Sequence, residues 1–150
     1  MAARKSGPPK KYFTPAQANA MLPLVRRIVQ DITELAGALR ERQERIARLT
    51  QLAGRESDET GRQEVDRVEE VMQLEEEFER GRERMTAYIE ELRTLGVELK
   101  DFFVGLIDFP CWMDGREVYL CWRQGEAEVG HWHEVDAGFA GRQKLLQEAH

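Results

Sequence analysis

No apolar run in this chain approaches the roughly 18 residues that a membrane-spanning helix requires. The amino terminus also lacks the short apolar stretch that directs secretion. Both absences lead us to expect a cytoplasmic protein that makes no use of a membrane. Cysteine is scarce. Cys111 and Cys121 are the two in the chain, and their C-x₉-C spacing matches no common zinc or redox pattern. Two thiols without a secretory signal point to a reducing compartment. Phosphate-cradling glycine patterns are missing as well: there is no G-x-x-x-x-G-K-[ST] and no strand-linked G-x-G-x-x-G. Residues 1–12 contain no acid, only Arg4, Lys5, Lys10 and Lys11 around Gly7, Pro8 and Pro9. That composition predicts a disordered basic tail. The whole chain carries a net charge of −6, so nucleic acid and anionic membrane are not expected as general partners.

What is present suits one domain with a modest core. The chain has 150 residues, of which 41% are hydrophobic and 33% charged, a balance that favours long solvated helices over a large sheet. Thr14, Pro15 and Gln17 form a helix start. The Thr14 hydroxyl can accept from the Gln17 backbone, Gln17 can reach back, and Pro15 stands where its missing N–H costs nothing. Phe13 can pack on the first turn. Pro23 falls inside the pattern and predicts a kink or a split. From Val25 the apolar residues Ile28, Ile32, Leu35, Leu39, Ile46, Leu49 and Ala53 recur in steps of three and four, with Arg42 at the vacant seam position. Residues 54–61 break the pattern, and Thr60 with Gln63 offers a second capping box. Val65, Val68, Val71, Met72, Phe78, Met85, Ile89, Leu92 and Leu95 then mark a second helix, which Gly96 can cap.

A short connection makes the two helices antiparallel. Folding them together places Gly37 level with Gly81, which suggests close backbone approach, and sets Arg42 near Glu69–Glu76. At 1.5 Å per residue each helix is about 50–60 Å long, more than a small sheet can cover. The distal half therefore either packs on another partner or stays a solvated two-helix arm, and we expect a homodimer through the hairpin.

After Gly96 the composition shifts to β-branched and aromatic residues. Val97–Phe103 reads as a strand or an irregular connection. Leu106–Met113 and Arg116–Arg123 flank Asp114-Gly115, the signature of a two-residue type I′ turn. That turn sets the register. Cys111 faces Val118, Phe109 faces Leu120 and Ile107 faces Trp122, giving an apolar face for the helices. Asp108 faces Cys121, Pro110 faces Tyr119 and Trp112 faces Glu117 on the other side. The two thiols then point to opposite faces, which disfavours a disulfide between them. Glu128–Glu134 forms a further strand, with His131 and His133 on one face and Trp132 on the other. A glycine-rich loop, Asp136–Gly141, leads to Arg142 and a tail that can be helical. The expected architecture is α+β: a helical hairpin over 13–96 packed on a three- or four-stranded antiparallel sheet with its glycine-rich loop over 97–143, within a single domain over 13–150.

FTPAQANAMLPLV at Phe13–Val25, LKDFFVGLIDFP at Leu99–Pro110, DGREVYLCW at Asp114–Trp122 and WHEVDAGFAGRQ at Trp132–Gln143 together resemble the bacterial family called domain of unknown function 2203. The resemblance covers essentially the whole chain after the tail. It implies a small cytoplasmic protein and carries no activity with it. Asp108, Phe109, Pro110, Asp114, Gly115, Tyr119, Cys121, Trp122, Trp132, His133, Glu134, Gly138, Phe139 and Arg142 hold its recurring motifs, and Cys111 and His131 stand outside them.

Candidate chemistry gathers at the sheet. His131 and His133 with Asp108 or Cys121 offer the nitrogen, sulfur and oxygen ligands of a divalent metal such as zinc. Cys121 near His133 has the parts of a thiolate nucleophile, although Asp108 opposite would raise the thiol pKa. Gly138–Arg142 has the parts of a phosphate site; the simpler reading is a structural turn with Arg142 paired to Asp136 or Glu134. Trp112, Tyr119 and Trp132 suit a pocket wall or a core. Two functions follow. The first is a self-associating interaction or scaffold protein. The second is a metal- or small-ligand-binding protein, or an enzyme, built from Asp108, Tyr119, Cys121, His133, Glu134 and Arg142.

Overall fold

A computed structural model describes residues 10–55 and 61–146, with the side chains of 53–55 and 61–62 left undescribed. Two helices, α1 (Pro15–Arg55) and α2 (Gly61–Thr94), precede five strands: β1 (Glu98–Asp101), β2 (Leu106–Met113), β3 (Arg116–Arg123), β4 (His131–Glu134) and β5 (Gln143–Lys144). The strands form one antiparallel sheet in the order β1-β2-β3-β4-β5. The architecture is α+β, as expected, with five strands rather than three or four. The extra strand is β5, in a segment whose composition also allowed a short helix. None of the described helices is long and apolar enough to cross a membrane.

The start of α1 follows its capping box. Thr14 N donates to Gln17 Oε1 at 2.9 Å and Gln17 N donates to Thr14 Oγ1 at 3.1 Å. Phe13 is buried edge-on against Phe109, with ring centroids 5.2 Å apart. Pro23 does not split the helix. It removes one backbone donor, but Leu22 and Val25 on either side are buried in the core, and their packing carries the helix through. At 41 and 34 residues the helices run about 62 and 51 Å. The second capping box and the middle of the connection lie outside the described residues.

The expected glycine pairing divides. A methyl on Gly81 would overlap the Leu39 side chain and touch Leu35, so α1 does approach α2 there. Gly37 has open space around it and serves no such approach. Arg42 reaches Glu77 at 3.9 Å, just past the Glu69–Glu76 stretch, while Arg45 pairs with Glu70.

The β2–β3 register agrees with expectation at every pair from Leu106↔Arg123 to Met113↔Arg116. The turn has Asp114 at φ 51° and Gly115 at φ 79°, the left-handed geometry that a type I′ turn requires. Ile107, Phe109, Cys111, Val118, Leu120 and Trp122 face the helices. They form the core with Leu22, Val25, Ile28, Val29 and Ile32 of α1 and Leu92 of α2. This core reaches only the proximal part of the hairpin. In the opposite direction Phe13 N donates to Pro110 O at 2.7 Å, Tyr12 stands edge-on to Trp112, and Lys10 pairs with Glu117. Residues 1–9 of the expected tail lie outside the described residues.

Candidate functional site

The second face of the sheet holds the chemistry. β3 pairs with β4 through Tyr119↔His133 and Cys121↔His131, and β2 sets Asp108 opposite Cys121. Period-two alternation then puts Asp108, Tyr119, Cys121, His131 and His133 on one face. Trp132 falls on the other and packs against the core. Both cysteines are free. Cys111 lies in the helix-side core and Cys121 on the opposite face, as the register required.

Three of the expected residues converge. One ligand-type atom each from Asp108, Cys121 and His133 lies within 4.8 Å of the other two. The cluster is closed: Asp108 is 2% exposed, Cys121 0% and His133 3%. His133 Nε2 sits 3.1 Å from both Asp108 carboxyl oxygens, and Nδ1 lies 2.7 Å from the Glu134 carbonyl. A carbonyl only accepts, so Nδ1 carries a proton. The Nε2 contact to Asp108 therefore holds one shared proton, on the imidazole or on the carboxyl. Burial pushes the Asp108 pKa up, and the facing His133 partly offsets that rise. Cys121 is pushed up to about 12 by burial and then by the neighbouring Asp108 charge. A thiol so held stays protonated, which removes its value as a nucleophile near neutral pH.

Tyr119 and Arg142 flank this cluster, and Glu134 lies on the other face of the sheet. The Tyr119 hydroxyl donates to Glu98 at 3.1 Å, and its ring stands 5.6 Å from that of His133. Lys100 binds Glu98 at 2.9 Å and lies 5.1 Å from the Tyr119 ring centre. Arg142 pairs with Glu126 and touches His131 Nδ1; it does not pair with Asp136 or Glu134. His131 is thereby engaged with Arg142 and Glu126 and stands outside the trio. Glu134 ends β4 opposite Val118, bonded to Arg116 at 3.0 Å, and that guanidinium lowers its pKa. Phe139 is partly exposed under the Arg142 guanidinium, 4.7 Å from its ring centre. Of the large aromatics, Trp112 is exposed, Tyr119 is buried on the polar face and Trp132 joins the core margin.

Three further residues were not singled out as candidates by the sequence. Glu98 and Glu126 supply the carboxylates that orient Tyr119 and Arg142. Asn19 on α1 accepts from Val129 N at 2.8 Å and donates to Val129 O at 3.2 Å. It pins the β3–β4 connection from which Glu126 reaches Arg142. The signals were a carboxylate opposite Asp108 in register for Glu98 and a Gly-Glu turn for Glu126. Asn19 had none.

The family model for an uncharacterized conserved protein, DUF2203, matches residues 11–145. The chain belongs to that family. No curated protein and no solved structure matches it. The match spans the helical hairpin, the sheet and the Asp108, Cys121 and His133 cluster together, so these are parts of one family domain.

Proposed function

We propose that the protein is a self-associating interaction module, in which the distal helical hairpin docks on the same segment of a second copy. The observation that carries this reading is where the core ends. The buried apolar positions of α1 stop at Ala36, and Leu39, Arg42, Ile46 and Leu49 beyond it are only half-buried. On α2, Val65, Val68 and Met72 stand 56%, 51% and 57% exposed. They lie at i, i+3 and i+7, one stripe along a single helix face. A two-helix layer with one solvated apolar stripe gains most by adding further helices.

Charge favours a second copy as the occupant. Over residues 40–48 α1 carries four arginines against Glu41 and Glu44, two of them (Arg42 and Arg45) already paired with Glu77 and Glu70 of the same chain, and over residues 64–77 α2 carries seven acids against Arg67. A two-fold axis along the arms would set α1 of one copy opposite α2 of the other, basic side on acidic side. The base of the arm adds an apolar groove of about 500 Å³ lined by Leu39, Phe78, Met85, Phe102 and Phe103. The two free thiols suit a cytoplasmic setting.

Sedimentation equilibrium from low to high micromolar concentration tests the reading. The expected result is a mass rising toward two chains. Val68→Glu with Met72→Glu should return it to one chain without loss of helix content. A strict monomer at high micromolar concentration would sink the proposal.

A further inference from the structure

We infer that Asp108, Cys121 and His133 bind a single Zn(II)-type divalent cation between strands β2, β3 and β4. The inference rests on the sheet alone and stands or falls independently of the helical arm. Each of three neighbouring strands contributes one donor, and the three are of different kinds: carboxylate oxygen, thiolate sulfur and imidazole nitrogen. A mixed set of that kind suits a borderline ion such as zinc rather than calcium or magnesium, which take oxygen.

The distances fit. Zinc bonds of about 2.0–2.3 Å hold tetrahedral donors roughly 3.3–3.6 Å apart. Here Nε2 is 3.1 Å from each Asp108 oxygen, and no pair of the three donor atoms is more than 4.8 Å apart. About 1 Å of side-chain closure completes the set. The donors also come from paired strands in fixed register, so the backbone already holds them in place.

The histidine is oriented for a metal. Its Nδ1–H donates to the Glu134 carbonyl at 2.7 Å, which leaves Nε2 as the ligating atom. A metal-bound histidine characteristically gives its other N–H to such an acceptor. Without metal, that same Nε2 shares one proton with Asp108. Binding balances as follows: the cation displaces the Cys121 S–H proton and the proton shared by Asp108 and His133. It gains a thiolate, a carboxylate and a neutral imidazole, and two protons leave to solvent.

Cobalt(II) titration of the chelator-stripped full chain, followed by absorbance, is the test. The expected result is one equivalent bound, with tetrahedral visible bands and a thiolate-to-cobalt charge-transfer band, all displaced by zinc. Cys111→Ser should keep the charge-transfer band and Cys121→Ser should abolish it. Asp108→Asn and His133→Ala should weaken zinc binding by at least about tenfold, since losing even an outer partner of a ligand costs that much. Should Cys121→Ser fail to fold, the nearly isosteric Asp108→Asn carries the comparison. Wild-type protein that takes up no stoichiometric cobalt overturns the inference. So does a charge-transfer band that survives in folded Cys121→Ser, or one lost in folded Cys111→Ser. If no metal binds, Asp108 and His133 are a proton-sharing structural pair.

Discussion

The two ends of the helical hairpin are built differently. At the sheet end, α1 and α2 are one layer against a five-stranded sheet, and Ile32, Leu92, Ile107, Leu120 and Trp122 are wholly enclosed. At the far end the same two helices have only each other. Their seam there is half-buried, interrupted by Arg42 and tied by exposed pairs such as Arg45–Glu70, which contribute little in water. One chain thus joins a head with an enclosed core to an arm with a half-buried seam. Most of the stability belongs to the head, while the unsatisfied surface belongs to the arm.

Truncation in the head should have the largest effect. Phe109→Ala removes a fully buried ring that packs on Phe13, and chemical denaturation should show a loss of about 3–5 kcal/mol. His133→Ala comes next. It strips the buried Asp108 of its partner, at a cost of about 3 kcal/mol. An Asp108→Leu, His133→Leu double variant should recover much of that loss, and failure to do so would mean that the pair matters for more than mutual satisfaction.

The thiols predict an alkaline effect confined to the head. Unfolded Cys121 ionises near the ordinary thiol value of 9.0, whereas in the native state its pKa is about 12. Between those values the native state binds the extra proton, so stability must fall as pH rises above 9. The slope approaches about 1.4 kcal/mol per pH unit for one thiol. Cys111, also raised by burial, adds in the same direction. Urea midpoints measured across that range check the sign.

Smaller effects probe the arm. Gly37→Ala fills open space in a helix and should stabilise by up to about 1 kcal/mol. Gly81→Ala should gain less, because Leu39 must rotate to admit the methyl. Thermal melts of the two variants compare them directly. Val68→Ser, on the exposed stripe, should stay within about 0.5 kcal/mol in the monomer and yet weaken association.

Much of the head is legible in the amino-acid sequence. Alternation on either side of Asp114-Gly115 determines which side chains share a face, because a pleat leaves only two choices once the turn length is known. The convergence of Asp108, Cys121 and His133 follows from that register and the pairing of β4. Other features depend on distant contacts. Strand β5 has no apolar alternation; it exists through backbone pairing of Gln143 with Trp132 and Lys144 with His131. Arg142 finds Glu126 rather than Asp136 or Glu134 because the turn after β3 holds that carboxylate, which accepts from Arg123 N at 2.8 Å, while Asn19, far away in the chain, fixes Val129. Pro23 leaves α1 unbroken because its neighbours are held in the core. His131 shares a face with His133, but Arg142 claims its ring, a competition that spacing alone does not show.

Hydrogen exchange measured as a function of protein concentration tests most directly the division between head and arm. Amides in Ile107–Trp122 and in α1 near Ile32 should exchange slowly at every concentration. Amides in the arm, around Ile46 and Val71, should exchange fast in dilute protein and become protected as concentration rises. Arm amides protected to the same degree as the head at low micromolar concentration would contradict that division.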